Sequence, residues 1–255
     1  MARYFIQLSY NGTPYNGWQV QDNTPHTVQQ ILQDKLSILL GNPTAIVGCG
    51  RTDTGVHAKD YYAHFDSEKT NLHLAESNLI YKLNKIVPID IAIKQIYLVN
   101  DIASARFDAI DRTYHYYIHQ LKNPFIHQSS AFMYGDLDFE AMNEAATYLL
   151  SITDFTSFSK LNTQTKTNNC VVTHAQWHQL NNDEWFFKIT ANRFLHNMVR
   201  SIVGTLLLVG KHKLSFEEFK IIIENKNRSQ AGMSAPAHGL YLEAISYPKA
   251  IFREC

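Results

Sequence analysis

A second succession of strands and helices begins at the stretch RTYHYYIHQ, residues 112–120. β-Branched and aromatic residues dominate the stretch, and their alternation is typical of a strand. Tyr114, Tyr116 and Ile118 then share one face of that strand. The preceding segment, NDIASARFDAID, interrupts the periodicity, so we expect a subdomain boundary near residue 105.

The first half of the chain shows the succession β-α-β-β-α-β. Residues 3–10 alternate like a strand, and Thr27 is suited to cap a helix whose apolar stripe ends at Gly41. The other elements predicted in this half are short strands over 45–49 and 60–65, a helix near 73–85 and a strand over 91–99.

The second half repeats this order without repeating the sequence. After the strand from Arg112, the predicted elements are a helix near 138–151, strands over 170–180 and 184–191, a long helix from 195, a shorter helix near 215–225 and a strand over 239–247. Two such halves predict an α+β fold of two tandem ferredoxin-like, or RRM-like, subdomains over residues 1–105 and 106–255. We expect their antiparallel sheets to join into one central sheet, with helices on one face and an active-site cleft on the other.

The composition is that of an ordinary globular protein without a global charge. The 255 residues contain 23 Lys and Arg against 23 Asp and Glu, so the formal net charge is zero. If the protein binds a nucleic acid, it has to do so through a local concentration of cations on its surface. No apolar stretch is long enough for a membrane span, and the first residues alternate like a strand instead of forming an export signal. We expect a cytoplasmic protein that does not bind a membrane.

Cysteine and histidine spacing gives no indication of a metal. Cys49, Cys170 and Cys255 are odd in number and widely spaced, which favours reduced thiols over a disulfide framework or a zinc site. His115 with His119, and His174 with His178, are four residues apart. Both segments are predicted strands, where we do not expect this spacing to place the two rings on one face, so we predict no metal site.

A polar loop, GCGRTDTGVHAKD, follows the apolar run at residues 45–47 and covers residues 48–60. Asp53-Thr54-Gly55 is good turn chemistry, so a surface turn is one interpretation. Alternatively, Arg51 and Asp53 present a carboxylate beside a cation. Such a carboxylate stays ionised and can act as a nucleophile or a base.

The tyrosines of residues 112–120 also allow two interpretations. Aromatic side chains are favoured in sheets, so they can be core and cross-strand packing. The functional alternative makes one of them a platform for an unstacked base.

The segment ANRFLHNMVRSIVGTLLLVG, residues 191–210, predicts a two-faced helix. Opposite its apolar stripe, spacings of four, three and four align Arg193, Asn197, Arg200 and Gly204. This face is either a solvated surface or a row that faces a cleft and binds substrate, with Gly204 permitting close approach.

Seven motifs in one order resemble the TruA-type tRNA pseudouridine synthases over nearly the whole chain. GRTDTGVHA at residues 50–58 is similar to the catalytic motif of that family. The other six are YNGTPYNGWQVQ, VQQILQDKLS, ARFDAIDRTYHYYI, DFTSF, ANRFLHNMVRSIVG and AGMSAPAHGLYLEAISYP. Thr54 departs from the alanine that the family commonly has.

This resemblance implies an isomerase that converts uridine to pseudouridine at positions 38–40 of the tRNA anticodon stem-loop, without a cofactor or a metal. It implies that Asp53 is the catalytic aspartate, which attacks either the sugar or the uracil ring. It further implies that Tyr114 stacks on the target base, that Arg200 pairs with the aspartate, and that Arg51 enters the space vacated by the flipped nucleotide. Members of the family are homodimers, so we expect a homodimer here.

Two other classes of function have to be distinguished from this one. Tandem RRM-like folds can bind structured RNA without chemistry, but a pure binder has no use for the Asp53 carboxylate near phosphates. A carboxylate-nucleophile phosphatase or hydrolase would need metal-binding acids near Asp53, and only Asp60 is close in sequence.

Overall fold

The computed structural model describes residues 1–74, 77–160 and 167–253. These residues contain nine strands and five α-helices, so the predicted α+β class is confirmed. The chain divides into two compact units, Met1–Ile110 with Leu242–Cys255 (unit 1) and Asp111–Tyr241 (unit 2). No helix within the described residues is long and apolar enough to cross a membrane.

In chain order, the strands and helices are β1 Ala2–Tyr10, α1 Val28–Leu40, β2 Val47–Gly48, β3 His57–Ser67, α2 Leu79–Ile86, β4 Ile91–Val99, β5 Asp111–His119, β6 Ala131–Phe132, α3 Phe139–Tyr148, β7 Val172–Gln179, β8 Glu184–Ala191, α4 Met198–Gly210, α5 Phe216–Glu224 and β9 Leu240–Ser246.

Unit 1 contains antiparallel strands in the order β4-β1-β3, and β2 pairs with β3. The helix predicted after Thr27 is confirmed: the Thr27 side chain accepts a hydrogen bond from the Gln30 amide, and Gly41 ends the helix with φ 81°. Helix α1 buries one stripe, Val28, Leu32, Leu36 and Leu40. Local capping signals and apolar spacing therefore agree with the packed structure in this region.

Unit 2 contains antiparallel strands in the order β5-β8-β7. Tyr114 lies opposite Ile189, and Tyr116 opposite Phe187. The expectation of purely antiparallel pairing was wrong, because the two-residue strand β6 pairs with β5 in parallel. Helix α3 packs against β7 and α4.

In unit 1, three predicted elements have clearly different bounds in the structure. The strand over 45–49 is only Val47–Gly48, because the Gln33 and Gln29 side chains take the amide and carbonyl groups of Ile46. The helix near 73–85 is Leu79–Ile86, and residues 75 and 76 lie outside the described residues. The strand over 60–65 extends to His57–Ser67.

The expectation for the second histidine pair was also wrong. His174 and His178 both lie in β7, and their rings stack with centroids 5.9 Å apart. A four-residue spacing in a strand also returns to the same face, because side chains alternate with a period of two. Among the described residues, no three or more His, Cys, Asp and Glu side chains form a group that could hold a metal ion.

Cys49 and Cys170 are buried as free thiols. Burial raises the pKa of the Cys170 thiol to about 11, so it stays protonated at neutral pH. Cys255 lies outside the described residues.

Candidate active site

The polar loop after β2 is anchored to unit 1 through Thr52. The Thr52 side chain is buried and shares a 2.8 Å hydrogen bond with the Tyr10 hydroxyl. The Thr52 backbone carbonyl accepts a 3.2 Å hydrogen bond from the Trp18 amide. Arg51 is exposed and Asp53 is half-buried on either side of this anchor.

Two glycines let another backbone segment approach this loop closely. Gly17 has φ +83°, and a Cβ there would lie 2.5 Å from the Thr52 carbonyl oxygen. A Cβ at Gly12 would lie 1.9 Å from the Val56 carbonyl oxygen. Only glycine fits such contacts, so both glycines of YNGTPYNGWQ are needed where this segment meets the loop.

A cluster of aromatic side chains packs beneath the loop, next to its Gly50 and Thr52. Trp18 and Tyr61 stack with ring centroids 4.0 Å apart, and Tyr10 lies 5.6 Å from Tyr61. The Tyr61 hydroxyl donates a hydrogen bond to the Gly50 carbonyl. Burial raises the pKa of this hydroxyl well above its usual value, so it remains a donor at physiological pH.

The turn at Asp53 agrees with the simpler of the two sequence interpretations. The Asp53 carbonyl accepts a 3.1 Å hydrogen bond from the Val56 amide, as in a β-turn. The turn is nevertheless fixed on both sides of Asp53. Thr52 is anchored on one side, and on the other the Gly55 amide donates to the Tyr15 carbonyl at 3.3 Å. An anchored turn with a half-buried carboxylate can hold that group in one orientation for chemistry.

Tyr114 and Tyr116, on the same face of β5, have different environments in unit 2. Tyr116 is fully buried, its hydroxyl donates to the Pro236 carbonyl at 2.9 Å, and burial raises its pKa. Tyr114 is half-buried and meets the ring of Phe194 edge to face, with centroids 5.0 Å apart. The packing interpretation is therefore confirmed for Tyr116.

Sequence reasoning missed Phe194 as the neighbour of Tyr114. The only signal was an aromatic residue inside the motif ANRFLHNMVRSIVG, directly after Arg193. Phe194 lies in the loop between β8 and α4, where it can orient the Tyr114 ring.

Helix α4 begins at Met198 and not at residue 195, which corrects the predicted row of side chains. Asn197 adopts a left-handed conformation with φ 64°, which asparagine tolerates better than most residues. The Met198 amide bonds back to the Leu195 carbonyl in a tight turn. Arg193 therefore lies in the loop before the helix, and Asn197 is the residue that precedes the helix.

Arg200 is half-buried in the first turn of α4 and is held by a neighbouring segment of unit 2. Its Nε donates to the Ala235 carbonyl at 2.7 Å, and its own carbonyl accepts from the Ala235 amide at 2.9 Å. A Cβ at Gly204 would lie 1.8 Å from the Met233 carbonyl oxygen. The close approach at Gly204 is therefore made by a segment of the same chain. That this face binds substrate stays a prediction.

The structure places Arg51 and Asp53 in one loop of unit 1. Tyr114, Arg193 and Arg200 lie in unit 2, as does Asn197, whose side-chain amide donates to the Ser234 hydroxyl. A shallow depression of about 510 Å³ elsewhere in unit 2 contains none of these residues. Its lining is formed by residues 134–138 and 210–213.

Comparison with known proteins gives the same family along the full length of the chain. A family model described as tRNA pseudouridine synthase matches residues 145–248. A tRNA pseudouridine synthase A of Porphyromonas gingivalis is 52% identical over 253 residues, covering 99% of this chain and 100% of that protein. The chain belongs to the tRNA pseudouridine synthase A family. The resemblance inferred from the motifs, and with it the assignment as an isomerase, is confirmed.

Two further members of the tRNA pseudouridine synthase A family show comparable similarity. The protein of Parabacteroides distasonis is 51% identical over 252 residues, covering 99% of this chain and 98% of its own. That of Bacteroides fragilis is 49% identical over 252 residues and covers 99% of both. The motifs quoted above therefore belong to a similarity that extends over nearly every residue.

Proposed function

We propose that this protein isomerises uridine to pseudouridine at positions 38–40 of the tRNA anticodon stem-loop. The observation that carries the proposal is the 52% identity to a tRNA pseudouridine synthase A over 99% of the chain. The reaction breaks the bond between N1 of uracil and C1′ of ribose and forms a bond between C5 and C1′. C5 loses a proton and N1 gains one, so the atoms balance without an oxidant, a reductant or a cofactor.

Asp53 is the proposed catalytic carboxylate. Its anchored turn suits a nucleophile, because attack requires one fixed orientation of the carboxylate oxygen. A carboxylate paired with arginine is a weak base, which favours attack over proton shuttling. Arg200 is the proposed partner that keeps the Asp53 carboxylate ionised. Attack on the sugar and attack on the uracil ring are both compatible with this role.

Base flipping assigns roles to Tyr114 and Arg51. A uracil inside a stem is hidden by stacking, and its extrusion costs a few kcal/mol that contacts in the pocket have to offset. The half-buried ring of Tyr114 provides a stacking surface for the extruded base. The exposed Arg51 side chain is suited to fill the gap left in the stem.

The proposed partner is tRNA, bound by a homodimer in the cytoplasm. Because the net charge is zero, RNA binding depends on locally concentrated cations from two subunits. We assign substrate-binding roles to Arg193 and Asn197. In this scheme residues 1–105 carry the polar loop with Asp53, which we call the aspartate loop. Residues 106–255 carry the stacking Tyr114 and α4 with Arg200, which we call the arginine helix.

Mapping pseudouridine in tRNA incubated with the purified protein tests this function. We expect Asp53→Asn to abolish product while tRNA affinity stays within about twofold, since the amide keeps the shape of the carboxylate but not its charge. The exposed Asp22 offers a matched control, and Asp22→Asn should leave the rate unchanged.

Three outcomes would contradict the proposal in different ways. Equal turnover by Asp53→Asn would remove the catalytic assignment. Tight tRNA binding by the wild type without any product would favour a non-catalytic RRM-like protein. Loss of activity in a chelator, restored by a divalent metal, would favour a metal-dependent reaction.

A further inference from the structure

The segment of residues 228–236, which we call the strap, lies along the face of α4 that carries Arg200. We propose that the strap positions the Arg200 guanidinium, and that Arg228 and Ser234 are positioning residues for the isomerisation. This inference rests on the proposed function, because it concerns the arginine assigned to pair with Asp53.

The strap meets α4 backbone to backbone one turn after Arg200. The Met233 carbonyl occupies the space that a side chain at Gly204 would fill, with only 1.8 Å between its oxygen and an ideal Cβ. The Gly232 amide donates to the buried Thr205 hydroxyl at 2.9 Å. These contacts fix the position of the strap along the helix axis, next to Gly204 and Thr205.

Arg200 makes two hydrogen bonds with Ala235 of the strap. The Ala235 amide donates to the Arg200 carbonyl at 2.9 Å, and Arg200 Nε donates to the Ala235 carbonyl at 2.7 Å. The second bond constrains the plane of the guanidinium, since Nε and both terminal nitrogens are coplanar. A shift of Ala235 therefore rotates the charged group.

Ser234 connects the strap to the start of α4. Its hydroxyl oxygen accepts hydrogen bonds from the Asn197 side-chain amide and, at 3.0 Å, from Arg228 Nη2. Asn197 precedes the helix by one residue and Gly204 follows Arg200 by four. The strap is thus attached on both sides of Arg200.

Arg228 holds the strap in its bent course. Its Nη1 donates to the Gly232 carbonyl at 3.1 Å and to the Ala231 carbonyl at 3.4 Å, while Nη2 reaches Ser234. Partial burial lowers the pKa of the Arg228 guanidinium, but arginine remains charged at any physiological pH. A charged donor that bonds three acceptors of one short segment stiffens that segment.

The test compares single-turnover pseudouridine formation in variants of the full-length protein. Ser234→Ala removes the shared acceptor, and we expect the rate to fall roughly threefold to tenfold, as for one net hydrogen bond. The affinity for tRNA, to which Asn197 contributes, should fall less than the rate. Ser234→Thr keeps the hydroxyl and should restore the rate. Should Ser234→Ala not fold, Arg228→Lys serves instead, because it keeps the charge but loses the forked donor.

A double-mutant cycle distinguishes positioning from general support. In an Arg200→Lys background the Nε donor is absent, so Ser234→Ala should no longer change the rate. An equal fall in both backgrounds, or a wild-type rate in Ser234→Ala, would overturn the inference. Absence of product from the wild type would instead overturn the proposed function, so the two failures are distinguishable.

Discussion

The aspartate loop of unit 1 and the arginine helix of unit 2 hold their functional residues by different means. Around Asp53, the loop backbone is held: the Thr52 hydroxyl and carbonyl are bonded, the Asp53 carbonyl accepts from Val56, and the backbone packs against Gly12 and Gly17. On α4 the anchor is on the functional side chain, since Arg200 Nε bonds to Ala235. The loop thus fixes the backbone that carries its acid, whereas on α4 a hydrogen bond to the side chain itself orients the cation.

Both regions nevertheless depend on glycine where another backbone segment approaches closely. Gly17 faces the Thr52 carbonyl, and Gly204 faces the Met233 carbonyl. A side chain at either position meets backbone atoms, which cannot move aside as a flexible side chain can. Substitutions at these two glycines therefore test the comparison most directly.

The largest effect is expected for Gly17→Ala. The substitution combines a positive φ with a Cβ 2.5 Å from the Thr52 oxygen, and we expect a loss of about 2–4 kcal/mol in the free energy of unfolding. Gly41→Ala is a matched control, because Gly41 has φ +81° with nothing within 4 Å of its Cβ. It should cost only about 1 kcal/mol. Equal losses in urea titrations of the two variants would show that the close approach is unimportant.

A smaller effect with an unusual sign is expected for Gly204→Ala. In an exposed helix interior this change stabilises by about 1 kcal/mol. Here the added Cβ would lie 1.8 Å from the Met233 oxygen, so we expect a destabilisation of about 1–3 kcal/mol, together with a slower reaction. Thermal melting and single-turnover rates measure the two effects. A stabilised, fully active variant would contradict the description of the strap.

The smallest effect is expected for Thr54→Ala in the loop. Thr54 is exposed next to Asp53, and the anchors of the turn are on other residues. We expect its stability to change by less than about 0.5 kcal/mol, and its rate of pseudouridine formation to stay within twofold. A clear loss of rate at unchanged stability would show that the Thr54 hydroxyl contributes to the reaction.

Local signals made much of the fold predictable. The Thr27 cap and the Gly41 terminus bound α1, and the aromatic and β-branched run EWFFKITA, residues 184–191, coincides with β8. In these segments the local sequence signals agree with the tertiary packing, so the sequence alone was enough to predict the elements.

Features that depend on distant partners could not be predicted in the same way. Leu195 fits the apolar period of α4, yet the helix starts after it, since Asn197 adopts a left-handed conformation. The pairing of β6 with β5 involves two residues and has no periodic pattern of its own. The Arg200 contact with Ala235 joins residues 35 apart in sequence, and only the small residues of AGMSAPAHG hint at a close backbone approach.

The stacking of Trp18 on Tyr61 gives the aspartate loop an optical reporter of its own. Only two other tryptophans, Trp177 and Trp185, occur in the chain, and both lie on strands of unit 2. In a version of the protein with those two indoles replaced by phenylalanine, tryptophan emission would come from Trp18, beside the loop, alone. The arrival of RNA at the aspartate could then be followed by fluorescence in real time, without a dye or a label.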